Sequence, residues 1–201
     1  MSRSGAILLA GGLSSRMGHD KAGLFLDGQT LLERLIRTVT PLVSQTIVML
    51  APTQDVPQLS VDLFARIEIG RDSSPAQGPL QGIADAMTLL KPDVGNLFVL
   101  SCDLPFLTTK SLEWMRCFLT PDIDGVCAEG TRKVNPLLAV YQRRLVAESV
   151  VPVAAGRSCM VLVDGHRIIR LPAPADNPML FSDINTPDAY ELAKTLLKKS
   201  T

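Results

Sequence analysis

The sequence contains few of the residues that build zinc sites or disulfide frameworks. Its 201 residues include two histidines and four cysteines, and the cysteines, at positions 102, 117, 127 and 159, show no C-x-x-C spacing. This scarcity argues against a zinc site and against a disulfide framework. A reducing cytoplasm therefore suits the chain better than an oxidising compartment.

Long apolar runs are also missing. The polar start, Met1 to Ser4, leads into an apolar run that extends only from Gly5 to Ala10, far short of the ~20 residues needed to cross a bilayer. We therefore predict neither a signal peptide nor a transmembrane span.

Excess charge of one sign is the third absence. Twenty basic and twenty acidic side chains cancel to a formal charge of zero, which argues against a dedicated surface for nucleic acid or for an anionic membrane. Any basic groove must therefore be local. The chain also has no repeat, charge block or low-complexity tract.

What the chain does contain is an alternation of apolar runs and helical patterns. Gly5 to Ala10 is typical of a strand buried on both faces of a parallel sheet. Thr30 and Glu33 have the spacing of a capping box and predict a helix that Pro41 ends. Further strands are predicted at 46–51, 66–69, 97–101, 125–128 and 167–171, and extended segments at 136–141 and 181–185.

Helices are predicted from Pro79 to about Leu90, from about Thr109 to Leu119, near 143–150 and 158–164, and from Pro187 onward. This alternation predicts an α/β fold, a Rossmann-like three-layer sandwich with a mostly parallel sheet and helices on both faces. Ligands of such sheets lie at the carboxyl ends of the strands. The length predicts a single domain, 1–201, although two small lobes stay open.

A glycine-rich segment, residues 8–21, follows the first predicted strand. Its glycines let the backbone turn N–H groups toward an anion, and Arg16 and Lys21 supply positive charge for phosphate oxygens. A surface turn with solvated charges is the alternative. The segment matches neither G-x-x-x-x-G-K-[ST] nor G-x-G-x-x-G, which disfavours a P-loop NTPase and a dinucleotide dehydrogenase.

The pattern Leu9-Ala10-Gly11-Gly12-x-Ser14-x-Arg16-Met17-Gly18-x-Asp20-Lys21 resembles the signature of the sugar-phosphate-type nucleotidyltransferases. Within that superfamily, Gly78-Pro79-Leu80-x-Gly82-Ile83 is similar to the guanine-side loop of the molybdenum cofactor guanylyltransferases, the MobA family. Three later segments, at 102–105, 135–137 and 183–188, resemble its remaining blocks in the same order.

The resemblance implies roles for individual residues. Arg16, Lys21 and Asp103 are the implied catalytic residues, with Lys21 on the phosphates and Asp103 on both the nucleotide and Mg²⁺. The implied nucleotide-binding set comprises Leu9, Ala10, Gly11, Gly12, Lys21, Asp72, Gly78, Pro79, Leu80 and Asp103.

Asp103 has a physical rationale that is independent of the family. A carboxylate that faces a triphosphate repels it unless a hard cation lies between, and Mg²⁺ accepts one or two carboxylates plus phosphate oxygens. A capping or turn role is the alternative for Asp103, and an Asx-turn role is the alternative for Asp72.

The chain departs from the family pattern at three positions. Leu50 lies where the family commonly has an asparagine that contacts the nucleotide, so base or ribose recognition could differ. Asn135 replaces a frequent histidine, and Asp183 a frequent asparagine. Asn135, Asp183 and Asn185 are candidate acceptor or second-metal contacts, whereas Asp183 could also simply be a polar residue that finishes a strand.

Two further residues near these segments have competing interpretations. Arg71 could bind a pterin phosphate, although a solvated surface charge is the simpler description. Cys102 is interpreted as a small buried residue rather than a nucleophile, because no histidine or cationic partner lies near it in sequence.

The resemblance implies transfer of GMP from GTP to molybdenum-bound molybdopterin, with pyrophosphate released and Mg²⁺ as the cofactor. Residues 1–110 would bind the nucleotide and 111–201 the acceptor. Carrier or acceptor proteins of the molybdenum cofactor are the expected partners, with no nucleic acid and no membrane. Two alternatives stay open: a nucleotidyltransferase with another base or acceptor, such as a cytidylyl or sugar-phosphate enzyme, and a non-catalytic nucleotide-binding regulator.

Overall fold

The computed structural model describes residues 3–11, 21–74, 78–130, 133–151 and 157–198, and the structural statements below concern these residues. The strands are β1 (Arg3–Leu9), β2 (Phe25–Leu26), β3 (Gln29–Thr30), β4 (Gln45–Leu50), β5 (Glu68–Arg71), β6 (Val94–Ser101), β7 (Gly125–Glu129), β8 (Val134–Gln142) and β9 (Ile168–Pro172). The α-helices are α1 (Leu31–Val39), α2 (Val61–Phe64), α3 (Pro79–Leu89), α4 (Thr109–Cys117), α5 (Arg143–Ser149) and α6 (Pro187–Lys198).

Seven of the strands form one sheet in the order β5-β4-β1-β6-β8-β7-β9. Strands β5, β4, β1 and β6 are parallel to one another. Strand β8 is antiparallel to both β6 and β7, and β9 is parallel to β7. Within this sheet β8 is thus the strand that runs the other way, and the predicted mostly parallel sheet is confirmed. We call the edge where the other six strands end the carboxyl edge.

Alternate residues of the central strands pack into two cores, one on each face of the sheet. On β1, Ala6 and Leu8 belong to the core that also contains residues of α1 and α4. Ile7 and Leu9 belong to the core that contains residues of α3 and α5. The two-residue period of a strand produces this division, and the predicted three-layer arrangement is confirmed.

The first helix begins where the sequence predicts. Thr30 Oγ1 accepts a hydrogen bond from the Glu33 N–H at 3.1 Å, and the Glu33 carboxylate accepts one from the Thr30 N–H at 2.9 Å. Just upstream, Asp27 and Gly28 have positive φ values of 50° and 75°, which suit the tight turn between β2 and β3. This hairpin and the capping box together direct α1 onto the sheet.

The structure differs from the sequence predictions in three segments. No strand forms at 181–185 among the described residues, and Ile184 N–H instead donates to the Asp103 carbonyl at 2.9 Å. This segment lies beyond the sheet, where no neighbouring strand continues a ladder. The predicted helix at 158–164 is a short 3-10 helix, Cys159–Leu162, and the helix α2 lies in a connection that carried no clear helical pattern.

No helix within the described ranges combines the length and the apolar character that a bilayer crossing requires.

The capping box predicts a measurable share of the stability. Thr30→Ala removes the oxygen that satisfies a first-turn N–H of α1, and we expect it to lower the free energy of unfolding by about 1 kcal/mol. Thr30→Ser keeps that oxygen and should lose less. Urea unfolding of the three proteins measures the difference, and equal loss in both variants would contradict the capping role.

Candidate active site

The site begins at the end of β1, where the chain leaves the sheet. Ala10 N–H and Gly11 N–H both donate to the Met49 carbonyl of β4, each at 3.0 Å. The Leu9 carbonyl accepts the Cys102 N–H at 3.2 Å. The exit of β1 is therefore held between the ends of β4 and β6, at the centre of the carboxyl edge.

Gly11 fits this position because it has no side chain. A Cβ there would lie 2.6 Å from the Ala51 nitrogen and 2.9 Å from the Leu50 carbonyl carbon. Both contacts are with main-chain atoms, which cannot move away as the end of a flexible side chain can. Leu9 and Ala10 have buried side chains, 8% and 3% exposed, so main-chain atoms are what this turn can offer a ligand. The contacts with the nucleotide that the resemblance implies for Leu9, Ala10 and Gly11 stay predictions.

The remaining predicted residues of the glycine segment lie outside this description. Gly12 and Arg16 are not among the described residues. Lys21 begins a 3-10 helix, Lys21–Gly23, but its side chain also lies outside the described part. Their implied contacts stay predictions.

Asp72 follows β5 directly, and its N–H donates to the Leu50 carbonyl at 3.0 Å. Its carboxylate lies over Gly82 of α3, where a Cβ would come within 2.7 Å of Oδ1. Burial, and then the nearby charge of Asp85, raise the pKa of Asp72 to about 6. The first turn of α3 thus holds a partly buried carboxylate beside the end of β4.

Asp85 itself is engaged locally. Its Oδ2 accepts the Ser73 N–H at 2.7 Å and the Gln81 side-chain amide at 3.0 Å. Within the described ranges no hydrogen bond of this kind reaches the Asp72 carboxylate. Of the two acidic side chains, Asp72 is therefore the one placed to accept hydrogen bonds from a ligand.

The predicted loop at 78–80 forms the start of α3. Gly78 is the N-cap with φ +82°, and Pro79 is the first helical residue. Leu80 is fully buried in the core, so its side chain cannot contact a ligand. The predicted role of these residues in base binding therefore depends on the backbone of Gly78 and Pro79.

Asp103 lies two residues beyond the end of β6. Its Oδ1 accepts a hydrogen bond from Ser101 Oγ at 2.7 Å, which fixes the carboxylate at the carboxyl edge. Its carbonyl accepts the Ile184 N–H. Because Ile184 is buried with residues of the β2–β3 hairpin region, the flanking residues Asp183 and Asn185 are brought to the Asp103 loop.

Asn135 reaches the same edge from a different direction. Strand β8 is antiparallel to β6, with Leu138 opposite Leu100, so the beginning of β8 lies beside the end of β6. Asn135 Oδ1 accepts the Leu137 N–H at 2.9 Å. The amide oxygen of Asn135 is thereby hydrogen-bonded within the start of β8.

Oxygen donors dominate the part of the site around Asp103. Among the residues that the structure describes, no three His, Cys, Asp or Glu side chains gather as a metal cage. A single carboxylate suits Mg²⁺, which keeps waters and substrate phosphate oxygens as ligands, whereas a zinc site needs a closed set of nitrogen or sulfur ligands. The donor set around Asp103 thus fits Mg²⁺ bound together with a phosphate substrate.

Two residues, Gln54 and Arg71, hold the turn that follows β4, and the sequence interpretation did not assign either role. Gln54 Oε1 accepts the Ala51 N–H at 3.0 Å, and Gln54 Nε2 donates to the Ala10 carbonyl at 3.1 Å. Arg71 Nη1 donates to the carbonyls of Ala51, Pro52 and Gln54 at 3.1, 3.2 and 2.8 Å. We call Gln54, Arg71 and the turn 51–54 the strand-exit latch.

The latch changes the interpretation of Arg71. Although its side chain is exposed, its guanidinium binds main-chain carbonyls of this protein rather than being only a solvated charge. No sequence motif marks the latch, because its contacts depend on the order of strands in the sheet.

A glycine turn, two carboxylates and a helix start meet at the carboxyl edge of a doubly covered, mostly parallel sheet. This arrangement defines a Rossmann-like α/β fold, a class whose ligands lie at the carboxyl ends of the strands.

Comparison with known proteins specifies the class further. The family described as the MobA-like NTP transferase domain matches residues 6–165. The chain belongs to this family, and it is a nucleotidyltransferase. This result favours transfer chemistry over the regulatory alternative.

Similar proteins support the assignment along the whole length. Molybdenum cofactor guanylyltransferase of Rhizobium meliloti is 30% identical over 203 residues, covering 96% of this chain and 91% of that protein. A Mycobacterium tuberculosis protein named probable molybdenum cofactor guanylyltransferase is 32% identical over 178 residues, covering 86% and 85%. The crystal structure of molybdopterin-guanine dinucleotide biosynthesis protein A from Archaeoglobus fulgidus has the same fold, with a TM-score of 0.72, 23% identity and coverage of 97% and 99%.

The close approach at Gly11 predicts an intolerant position. Gly11→Ala forces the β1 exit away from the Ala51 backbone, and we expect a loss of about 1–3 kcal/mol in the free energy of unfolding together with loss of nucleotide binding. Gly23→Ala is the matched control, since a Cβ there meets nothing within 4 Å. Thermal unfolding and nucleotide titration of both variants test this, and a Gly11→Ala protein that binds normally would contradict it.

Proposed function

We propose that this protein transfers GMP from GTP to the phosphate of molybdenum-bound molybdopterin. The products are pyrophosphate and the guanine dinucleotide form of the cofactor. The observation that carries the proposal is the meeting of Leu9–Gly11, Asp72 and Asp103 at one sheet edge in a chain of the MobA-like family. The names of the relatives from Rhizobium meliloti and Mycobacterium tuberculosis supply the acceptor and the base.

The reaction is an in-line displacement at the α-phosphorus. An oxygen of the pterin phosphate forms the new P–O bond as the bond to pyrophosphate breaks, so the protein needs no nucleophile of its own. Cys102, beside Asp103, is 8% exposed and takes no part. Catalysis of this kind depends on positioning and on neutralising charge.

The residues divide this work between the two ends of the nucleotide. The main chain of Leu9–Gly11 borders the nucleotide, and Gly12, Arg16 and Lys21 bind the triphosphate. Asp72 accepts hydrogen bonds from donor groups of the nucleoside, and Gly78 and Pro79 border the base. Asp103, fixed by Ser101, lies at the reacting phosphate.

Mg²⁺ is the expected cofactor, and Asp103 is the residue that would hold it, with Asp183 and Asn185 beside it. When bound, Mg²⁺ neutralises the charge that accumulates on phosphate oxygens. Asn135, Asp183 and Asn185 lie where an acceptor phosphate would approach, and we assign the acceptor to this side of the edge.

A second candidate is a nucleotidyltransferase that uses another base. The observation in its favour is Leu50, which is fully buried and offers no polar group at the exit of β4. Titration with GTP, CTP, ATP and UTP in the presence of Mg²⁺ distinguishes the candidates. Selective GTP binding, and pyrophosphate release on addition of molybdopterin, are expected; tight and selective CTP binding would refute the guanylyl proposal.

Asp103 and Lys21 carry the transfer step in this proposal. We expect Asp103→Ala and Lys21→Ala each to lower kcat for pyrophosphate release by about a hundredfold or more, because each removes charge stabilisation at the phosphates. Asp93→Ala removes an exposed carboxylate that pairs with Arg3 and serves as the control. Full turnover by the Asp103 and Lys21 variants would show that transfer does not occur at this site.

The raised pKa of Asp72 predicts a pH dependence of nucleotide binding. The charged carboxylate accepts hydrogen bonds from the nucleoside, so the affinity for GTP should fall as the pH drops through about 6. Asp72→Asn should bind GTP weakly and without this dependence. Titrations from pH 5 to pH 8 measure both, and an unchanged pH profile in the variant would contradict the role of Asp72.

The same raised pKa makes the stability of the protein without nucleotide depend on pH in the opposite direction to its affinity for GTP. Because the pKa in the folded state, about 6, lies above the ordinary value of 3.8, the folded chain binds more protons than the unfolded chain between these values. The contribution of Asp72 to stability is therefore present at low pH and is lost as the pH rises through about 6. Asp72→Asn should therefore raise Tm at pH 7 while it weakens GTP binding.

A further inference from the structure

The strand-exit latch joins three segments that the nucleotide must contact together. The Ala10 carbonyl belongs to the glycine turn, Ala51 to the exit of β4, and Arg71 precedes Asp72 directly. The Gln54 amide bridges the first two, 3.1 Å to Ala10 and 3.0 Å to Ala51. Arg71 ties the same turn to β5 through three carbonyls.

We propose that Gln54 is a positioning residue. It holds the main chain of Ala10 and Ala51 in place, and this main chain in turn orients the nucleotide. This inference rests on the proposed nucleotide-binding role of the site, but not on the identity of the base. The side chain at the end of β4 is Leu50, which is apolar and packs in the core. It therefore cannot align the nucleoside as a polar side chain there would. The latch supplies the alignment instead, by setting the separation between the glycine turn and Asp72.

The two ends of the Gln54 amide are not interchangeable. The Ala51 N–H requires an acceptor and the Ala10 carbonyl requires a donor, a pairing that only a side-chain amide of this length satisfies at once. Gln54→Glu keeps the size and the acceptor, but it places an oxygen against the Ala10 carbonyl oxygen. Gln54→Met keeps the approximate length and removes both hydrogen bonds.

The latch lies on the nucleoside side of the edge and not on the Asp103 side. Leu9 connects the β1 exit to Asp103 through the separate hydrogen bond from Cys102. Loss of the latch should therefore weaken substrate binding and leave the reacting phosphate in place. This expectation separates a positioning residue from one that only stabilises the fold.

The chain offers a matched control at the opposite edge of the sheet. Gln142 Nε2 donates to the carbonyls of Thr120, Pro121 and Ile123 at 3.1, 3.2 and 2.7 Å. It lies opposite Asn96 near the beginning of β6, far from the carboxyl edge. Gln142→Glu therefore removes a comparable set of hydrogen bonds to main-chain carbonyls, at a distance from the proposed nucleotide site.

The experiment compares the full-length wild type with Gln54→Glu, Gln54→Met, Arg71→Lys and Gln142→Glu. Affinity is measured by calorimetry for whichever of GTP, CTP, ATP and UTP, with Mg²⁺, the wild type binds most tightly. Pyrophosphate release gives KM and kcat, and thermal unfolding gives Tm. We expect Gln54→Glu to weaken binding and raise KM by about tenfold or more, with kcat at saturation within about twofold.

The outcomes are distinct. Gln54→Met and Arg71→Lys should show smaller losses of affinity, and Gln142→Glu should lower Tm while KM stays unchanged. Unchanged affinity in both Gln54 variants, or an equal rise of KM in Gln142→Glu, would overturn the positioning role. A wild type that prefers another triphosphate would refute the guanylyl proposal alone, whereas one that binds none of the four would overturn both.

Discussion

The site depends on the way the exit of β1 closes onto the Met49 carbonyl. Two successive N–H groups share that one acceptor, and the turn is tight enough that only glycine fits at position 11. The neighbouring strand ends are then arranged around this turn, with Asp72 on one side and Asp103 on the other. A close backbone approach, rather than any charged pair, is therefore what sets the spacing of the functional groups.

Local sequence signals predicted most of the elements that build this frame. The capping box of Thr30, the Asp27-Gly28 turn and the proline at the start of α3 act over a few residues, so their signals survive in the sequence alone. Buried strands were equally clear, because a parallel sheet covered on both faces demands continuous apolar runs. The alternation of strands and helices also predicted that Asp72 and Asp103 follow strands that end at the carboxyl edge, as they do after β5 and β6.

The features that the sequence did not predict depend on long-range contacts. The segment at 181–185 has strand-like residues but no partner strand, and the hydrogen bond from Ile184 to the Asp103 carbonyl could not be predicted from composition. Gln54 and Arg71 have ordinary surface residue types, and their contacts exist only because β4 lies between β1 and β5. The roles of Gly12, Arg16 and Lys21, like the division of the chain at about residue 110, stay predictions.

The reversed direction of β8 has a consequence for how such an enzyme can diversify. Because β7 ends and β8 begins at the carboxyl edge, Glu129 and Val134 lie on the half of the sheet that holds Asp103, whereas the latch lies on the other half. A change at the start of β8 can thus alter the Asp103 side of the edge without touching the latch. Under the proposed function, one sheet edge thereby separates two evolutionary variables, the group that is donated and the molecule that receives it.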